Sequence, residues 1–137
     1  MISLILVMIA GALNAVMDKL AFNFNTSVFK DLNPVFWDVK QSWKNMWKWP
    51  LQPFEGKYYF GLYKPRWKEK FPYSSTILVG FIDAWHLAKA LMVVCLGAAV
   101  ALHTPFIAWW VDSLVMVSMF TGTFTYFYEY VLTSNKK

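Results

Sequence analysis

The stretch GFIDAWHLAKALMVV, Gly80 to Val94, lies inside an apolar run that extends from residue 76 to residue 102. A helix of about 27 residues at about 1.5 Å per residue is longer than the hydrocarbon core of a bilayer, which is about 30 Å thick. The run therefore predicts a membrane-spanning helix. It nevertheless carries three ionisable residues, Asp83, His86 and Lys89.

Two further apolar segments, residues 1–22 and 106–132, complete the pattern. The 137-residue chain is 58% hydrophobic and 20% aromatic, which indicates one small integral membrane domain rather than a soluble core. Segment 1–22 has the length of a signal peptide, but no Lys or Arg precedes it and no clear cleavage site follows, so we interpret it as a retained helix. The predicted fold class is an all-α membrane protein with three transmembrane helices.

The link between the second and third apolar segments is only residues 103–105, HTP. A link this short predicts that the two helices form an antiparallel hairpin. The helices would then pack side by side, and residues equally distant from the link would lie at the same depth.

Basic residues are concentrated in one part of the chain. Nine of the thirteen Lys and Arg lie in the loop 23–75, and Lys136 and Lys137 close the sequence. Three crossings place the loop and the C-terminus on the same side, which the positive-inside rule makes cytoplasmic. We therefore expect an integral protein of a bacterial inner membrane, with the N-terminus outside. Because this distribution explains the net charge of +5, we expect no nucleic-acid partner.

The loop contains a predicted amphipathic helix over residues 38–49. Asp38 followed by Gln41 is a capping pattern, and Pro50 ends the run. Tryptophans and lysines then recur at helical spacing on different faces, which suits a helix at the surface of an anionic membrane. The alternative is that the Trp face packs on the protein's own helices. The predicted lipid-binding residues are Trp43, Trp47, Lys40, Lys44 and Lys48. Further along, KYYFGLY (57–63) predicts a short strand or a turn.

The segments NPVFWDVKQSWKNMWK (33–48) and SSTILVGFIDAWHL (74–87) together resemble a pattern in small uncharacterised multi-span membrane proteins of bacteria and their phages. The resemblance covers the loop and the second helix. It implies a membrane location but no activity and no site residue.

Asp83 and His86 lie on neighbouring parts of one helix face. Small residues that allow close helix packing lie near the same face: Ala90, Gly97, Ala98 and Ala101. The face is therefore predicted to meet another helix. The expected depths bring four groups together that could hold a divalent cation such as zinc, manganese or iron: Asp18, Asp83, His86 and Glu129. Alternatively, Asp83 orients His86 as a general base, or the cluster is an interhelical network without chemistry.

The sequence favours a small accessory or interaction protein that contacts anionic lipid and forms a homo-oligomer or joins a membrane complex. The alternative is a membrane-embedded hydrolase or transferase that acts on lipid headgroups through Asp83 and His86, with or without a bound metal ion. A pore-forming protein is a third hypothesis, although a pore former does not need the long loop. No His-Glu-x-x-His, phosphate-binding glycine loop or Gly-x-Ser-x-Gly motif occurs. The sequence therefore leaves open whether the protein is an enzyme.

Overall fold

The computed structural model describes residues 1–48, 55–59, 62–66 and 69–134, and these are predominantly helical. Three long helices form the body of the protein: α1 (Ile2–Phe22), α4 (Ala84–Ala101) and α5 (Trp109–Tyr126). A π-helical turn, Phe127–Val131, continues α5. The loop contributes two one-turn helices, α2 (Pro34–Trp37) and α3 (Val39–Ser42), and two 3₁₀ helices, Phe24–Thr26 and Trp43–Met46. A further 3₁₀ helix, Ile77–Phe81, lies in the second apolar run.

The loop also contains a β-hairpin. Strands β1 (Glu55–Tyr59) and β2 (Leu62–Arg66) pair antiparallel, with Glu55 opposite Arg66 and Tyr59 opposite Leu62. The hairpin covers most of the stretch 57–63, for which a strand or a turn was predicted.

Helix α1 is the centre of the bundle. It packs against both α4 and α5, whereas α4 and α5 hardly contact each other. Its buried positions are spread around most of its circumference and include small residues, among them Ala10 and Ala15, which are fully buried. Small side chains let neighbouring backbones approach closely in a helical bundle.

The contacts fix the directions of the helices. Gly11 faces the carbonyl group of Phe120, and Lys19, eight residues later, contacts Tyr128, also eight residues later. Helices α1 and α5 therefore run parallel. Val7, near the start of α1, shares a crevice with Ala99, near the end of α4, so α4 runs antiparallel to both.

The predicted hairpin is thus correct in direction but not in packing. The link between α4 and α5 comprises residues 102–108 rather than three residues, and this length lets α1 lie between the two helices. The face of α4 that is buried contains Ala84, Ala88 and Ala99. It is not the predicted face, because Ala90, Gly97 and Ala101 are exposed.

The second apolar run is also not one continuous helix. The Ile77–Phe81 3₁₀ helix ends before α4 begins at Ala84, and Gly80 lies beside Ala90. The segment therefore folds back along the first turns of α4. By length and composition, α1 and α4 are apolar enough to cross a membrane.

Candidate functional site

Asp83 is the N-cap of α4. Its Oδ1 accepts a hydrogen bond from the backbone N–H of His86 at 2.7 Å, and the residue is 1% exposed. Acidic side chains are favoured at this position because they satisfy helix N–H groups that lack an intrahelical partner. The break in the apolar run therefore has a local cause. The sequence predicted that Asp83 lies inside a helix, whereas in the structure Asp83 caps the start of α4.

The same carboxylate also orients the imidazole of His86. Nδ1 of His86 lies 2.8 Å from Oδ2 and 3.0 Å from Oδ1 of Asp83. A ring nitrogen between two carboxylate oxygens carries a proton, so Nδ1 is the donor. About a third of the His86 side chain is exposed, and within the described ranges no hydrogen bond to Nε2 is found. The structure thus brings together the predicted Asp83–His86 pair.

His86 borders a crevice between the Ile77–Phe81 3₁₀ helix and α4, which we call the 3₁₀–α4 crevice. Its volume is about 630 Å³, and its walls are mainly aliphatic and aromatic. Lys89, one turn after His86, is its other ionisable lining residue. The Lys89 ammonium lies 5.0 Å from the centre of the Trp85 ring, within the range of a cation–π contact.

The four predicted metal ligands are not brought together. Asp18 is half-buried in the last turns of α1, and Glu129 is exposed in the π-helical turn. Across residues 1–48 and 69–134, no three His, Cys, Asp or Glu side chains are grouped closely enough to hold a metal ion. The predicted depths assumed that α4 packs on α5. Because α1 separates those two helices, Asp83 and Glu129 do not meet.

The predicted amphipathic helix is shorter than expected. Asp38 caps α3 by accepting from the backbone N–H of Lys40 at 2.9 Å, as its position predicted. The helix then tightens into the Trp43–Met46 3₁₀ helix. Of the five predicted lipid-binding residues, three are exposed, Trp43, Lys40 and Lys48, and two are half-buried, Lys44 and Trp47.

Asn45 was not singled out by the sequence, yet it joins two parts of the loop to the segment that precedes α4. Its Nδ2 donates to the carbonyl oxygens of Val35 and Ile82, both at 2.9 Å, and its Oδ1 accepts from Lys70 Nζ at 2.8 Å. The carbonyl of Ile82 directly precedes Asp83. Asn45 therefore ties the loop to the start of α4 and holds the candidate site in place.

Glu69 stabilises the turn that leads into the Ile77–Phe81 3₁₀ helix. Its carboxylate accepts from the backbone N–H groups of Tyr73 and Ser75 and from the Ser75 hydroxyl. The hydroxyl and backbone hydrogen bonds from Ser75, followed by the one from Tyr73, lower the pKa of Glu69 below 4.5. Tyr73 adopts a φ of 62°, a conformation that is uncommon for a residue with a side chain.

A second His–Asp pair lies at the opposite end of α4. His103 Nε2 is 3.3 Å from Oδ2 of Asp112, and Asp112 also accepts from the backbone N–H groups of Phe106 and Ile107. Asp112 is 1% exposed. It therefore organises the α4–α5 link.

Lys19 is a further group whose role the sequence did not reveal. It is 4% exposed, and its Nζ donates to the carbonyl oxygen of Tyr128 at 3.1 Å and to Thr133 Oγ1 at 2.8 Å. A cation is favoured there because carbonyl groups at a helix C-terminus carry partial negative charge. Lys19 thus links the end of α1 to the end of α5.

Comparison with known proteins gives no match to a family model, to a curated protein or to a solved structure.

Proposed function

We propose that this protein is a three-span integral membrane accessory protein whose basic, aromatic loop contacts anionic lipid at the cytoplasmic surface. One observation carries the proposal: α4 and α5 expose large apolar side chains along much of their length. On α4 these include Val93, Val94 and Val100, and on α5 Leu114 and Val117, each between 58% and 79% exposed. Apolar surface of this extent is typical of a protein that lies in lipid or binds a partner.

The third span in this proposal is α5. Its polar residues are compatible with a membrane, because Ser113 and Thr121 donate their hydroxyl protons to carbonyl oxygens of the preceding turn. Asp112 is buried and hydrogen-bonded at the end of the helix. These bonds lower the cost of placing polar groups in lipid.

The loop supplies the lipid contacts. Lys40 and Trp43 are exposed on adjacent short helices, in a segment with positive charge and aromatic rings. Such a composition suits a surface where lysines lie near phosphate and tryptophans lie at headgroup level. The apolar faces of α4 and α5 leave room for a second copy or a membrane partner, so we propose that the protein works in an oligomer or complex.

Topology mapping tests this proposal. In a Cys95→Ser background, a membrane-impermeant maleimide should label Thr104→Cys in intact spheroplasts and Asn25→Cys only after permeabilisation. A green fluorescent protein fused after Lys137 should fluoresce, since its chromophore matures in the cytoplasm. Extraction of the protein by alkaline carbonate would refute the membrane assignment. A C-terminus on the outer side would refute the third span alone.

A second candidate function is hydrolysis or group transfer at a lipid headgroup. The observation that favours it is the pair in which Asp83 holds Nδ1 of His86 while Nε2 lies beside the 3₁₀–α4 crevice. A neutral imidazole held in this way can accept a proton from a water molecule that attacks an ester or phosphate. Incubation of purified protein with mixed phospholipids, followed by mass spectrometry of the products, tests it. Turnover that survives in His86→Gln would exclude this role.

A further inference from the structure

The 3₁₀–α4 crevice combines an apolar wall with two nitrogen-bearing side chains at one end. Phe81, Leu91 and Val93 belong to the wall, and His86 and Lys89 lie three residues apart on the same helix. A volume of about 630 Å³ is in the range of small-molecule binding sites. A crevice of this type matches a ligand with a hydrocarbon chain and a polar head.

The two polar groups indicate the charge of that head. The ammonium group of Lys89 is a cation in an exposed residue, and among the side chains that the structure describes no carboxylate pairs with it. Both oxygens of Asp83 are within 3.0 Å of His86 Nδ1, and the carboxylate is buried away from the crevice. The side that faces the crevice therefore presents a cation and a ring nitrogen, a combination complementary to an anion.

We propose that the 3₁₀–α4 crevice binds one anionic phospholipid, with an acyl chain along the apolar wall and the phosphate between Lys89 Nζ and His86 Nε2. In this complex Nδ1 of His86 donates to Asp83, and Nε2 faces a phosphate oxygen as the second hydrogen-bonding atom of the ring. The proposal rests on the membrane location proposed above. It goes further by naming the lipid class and the residues that select it.

The Ile77–Phe81 3₁₀ helix has a defined part in this site. Asn45 holds the carbonyl of Ile82, and Glu69 holds the preceding turn, so both ends of the segment are fixed by hydrogen bonds. Ile77 and Phe81 are nonetheless 80% and 68% exposed. A segment whose backbone is already fixed loses little conformational entropy when a ligand binds, and its exposed apolar side chains are available to contact an acyl chain.

Native mass spectrometry of the detergent-solubilised protein tests the proposal. Titration with dioleoyl phosphatidylglycerol should give one saturable adduct, and dioleoyl phosphatidylcholine should bind about tenfold more weakly. Lys89→Gln and His86→Gln should each weaken the phosphatidylglycerol adduct by about tenfold, since each removes a hydrogen bond to a charged group. Lys30→Gln removes a loop lysine outside the crevice and should leave the affinity of this single saturable adduct unchanged, whatever the loop contributes at the bilayer surface.

A second pair of variants tests whether the apolar wall of the crevice holds the acyl chain. Val93→Phe adds bulk within the crevice and should displace the lipid, whereas Leu114→Phe lies on the exposed face of α5 and should not. Circular dichroism of each variant confirms that it is folded before binding is compared.

Three outcomes would overturn the proposal. If phosphatidylcholine binds as tightly as phosphatidylglycerol, the protein binds lipid at its surface without selecting the headgroup. If oleic acid binds as tightly as phosphatidylglycerol, the crevice is a site for fatty acids rather than for phospholipids. Binding that responds to none of the crevice variants would place the lipid elsewhere. These failures differ from failure of the proposed function, since a protein that resists carbonate extraction yet shows no selective adduct remains an integral membrane protein.

Discussion

Gly11→Ala probes the closest approach between two helices in the bundle. A Cβ atom at Gly11 would lie 2.5 Å from the carbonyl oxygen of Phe120, which belongs to the backbone of α5. Contacts of this kind need more than 3 Å, so the α1 and α5 backbones must separate by roughly half an ångström or more. Overpacking of a well-packed interior costs about 1–3 kcal/mol.

The helix itself gives an opposing contribution. Replacing glycine by alanine in a helix stabilises it by up to about 1 kcal/mol, because glycine loses more conformational freedom on folding. Gly97→Ala in α4 is the matched control, since nothing lies within 4 Å of the added methyl group. The propensity gain is common to both variants. The difference between them therefore isolates the steric cost at Gly11, and we expect about 1–3 kcal/mol.

Thermal unfolding in detergent, followed by circular dichroism, measures this difference. For a chain of this size, 1 kcal/mol corresponds to a change in Tm of roughly 3–5 °C. Gly11→Ala should therefore melt about 3–15 °C below Gly97→Ala. If the two variants have the same Tm, the close packing of α1 on α5 described here is wrong. Gly122→Ala, which also meets no atom within 4 Å, should behave like Gly97→Ala.

Three other predictions follow from the polar contacts. Lys19→Met should destabilise the fold by about 1–3 kcal/mol and speed hydrogen exchange in residues 127–134, because two hydrogen bonds at the end of α5 are lost; unchanged exchange there would refute the role of Lys19. Asn45→Ala should lower the free energy of unfolding by a similar amount, and with it Tm, because two carbonyl groups lose their donor. Asn25→Ala, an exposed control, should leave Tm unchanged. The lowered pKa of Glu69 means that its contribution to stability is present above pH 4.5 and is lost as pH falls through the folded-state pKa. A Tm measured from pH 7 to pH 3 should thus fall less in Glu69→Gln than in the wild type, and parallel curves would contradict this.

The candidate site illustrates how much a sequence pattern can predict. The three-residue spacing of Asp83 and His86 correctly indicated that the two side chains meet, because i and i+3 are neighbours in the first turn of a helix. The same spacing could not show that Asp83 begins the helix rather than lying within it. An N-cap and an internal residue have the same neighbours in sequence, and the choice depends on where the preceding segment packs.

Hydrogen-bond partners that lie far apart in the chain could not be predicted from the sequence in the same way. In the sequence, Lys19 is a charged residue at the end of an apolar segment, and Asn45 is a polar residue of the loop. Both acquire their roles from carbonyl groups far away in the chain, at Tyr128 and Ile82. A signal for Lys19 did exist, since a lone lysine among apolar residues near a helix end is expected to find carbonyl partners.

The sequence by itself determined the three long helices, their alternating directions and the capping of α3 by Asp38, because these depend on apolar runs and on short-range hydrogen bonding. Only the tertiary structure decided that α1 lies between α4 and α5, and that the buried face of α4 contains Ala84, Ala88 and Ala99. Helix packing depends on which small residues allow the closest backbone approach. Several faces of α1 and α4 carry such residues, so one-dimensional spacing cannot choose among them.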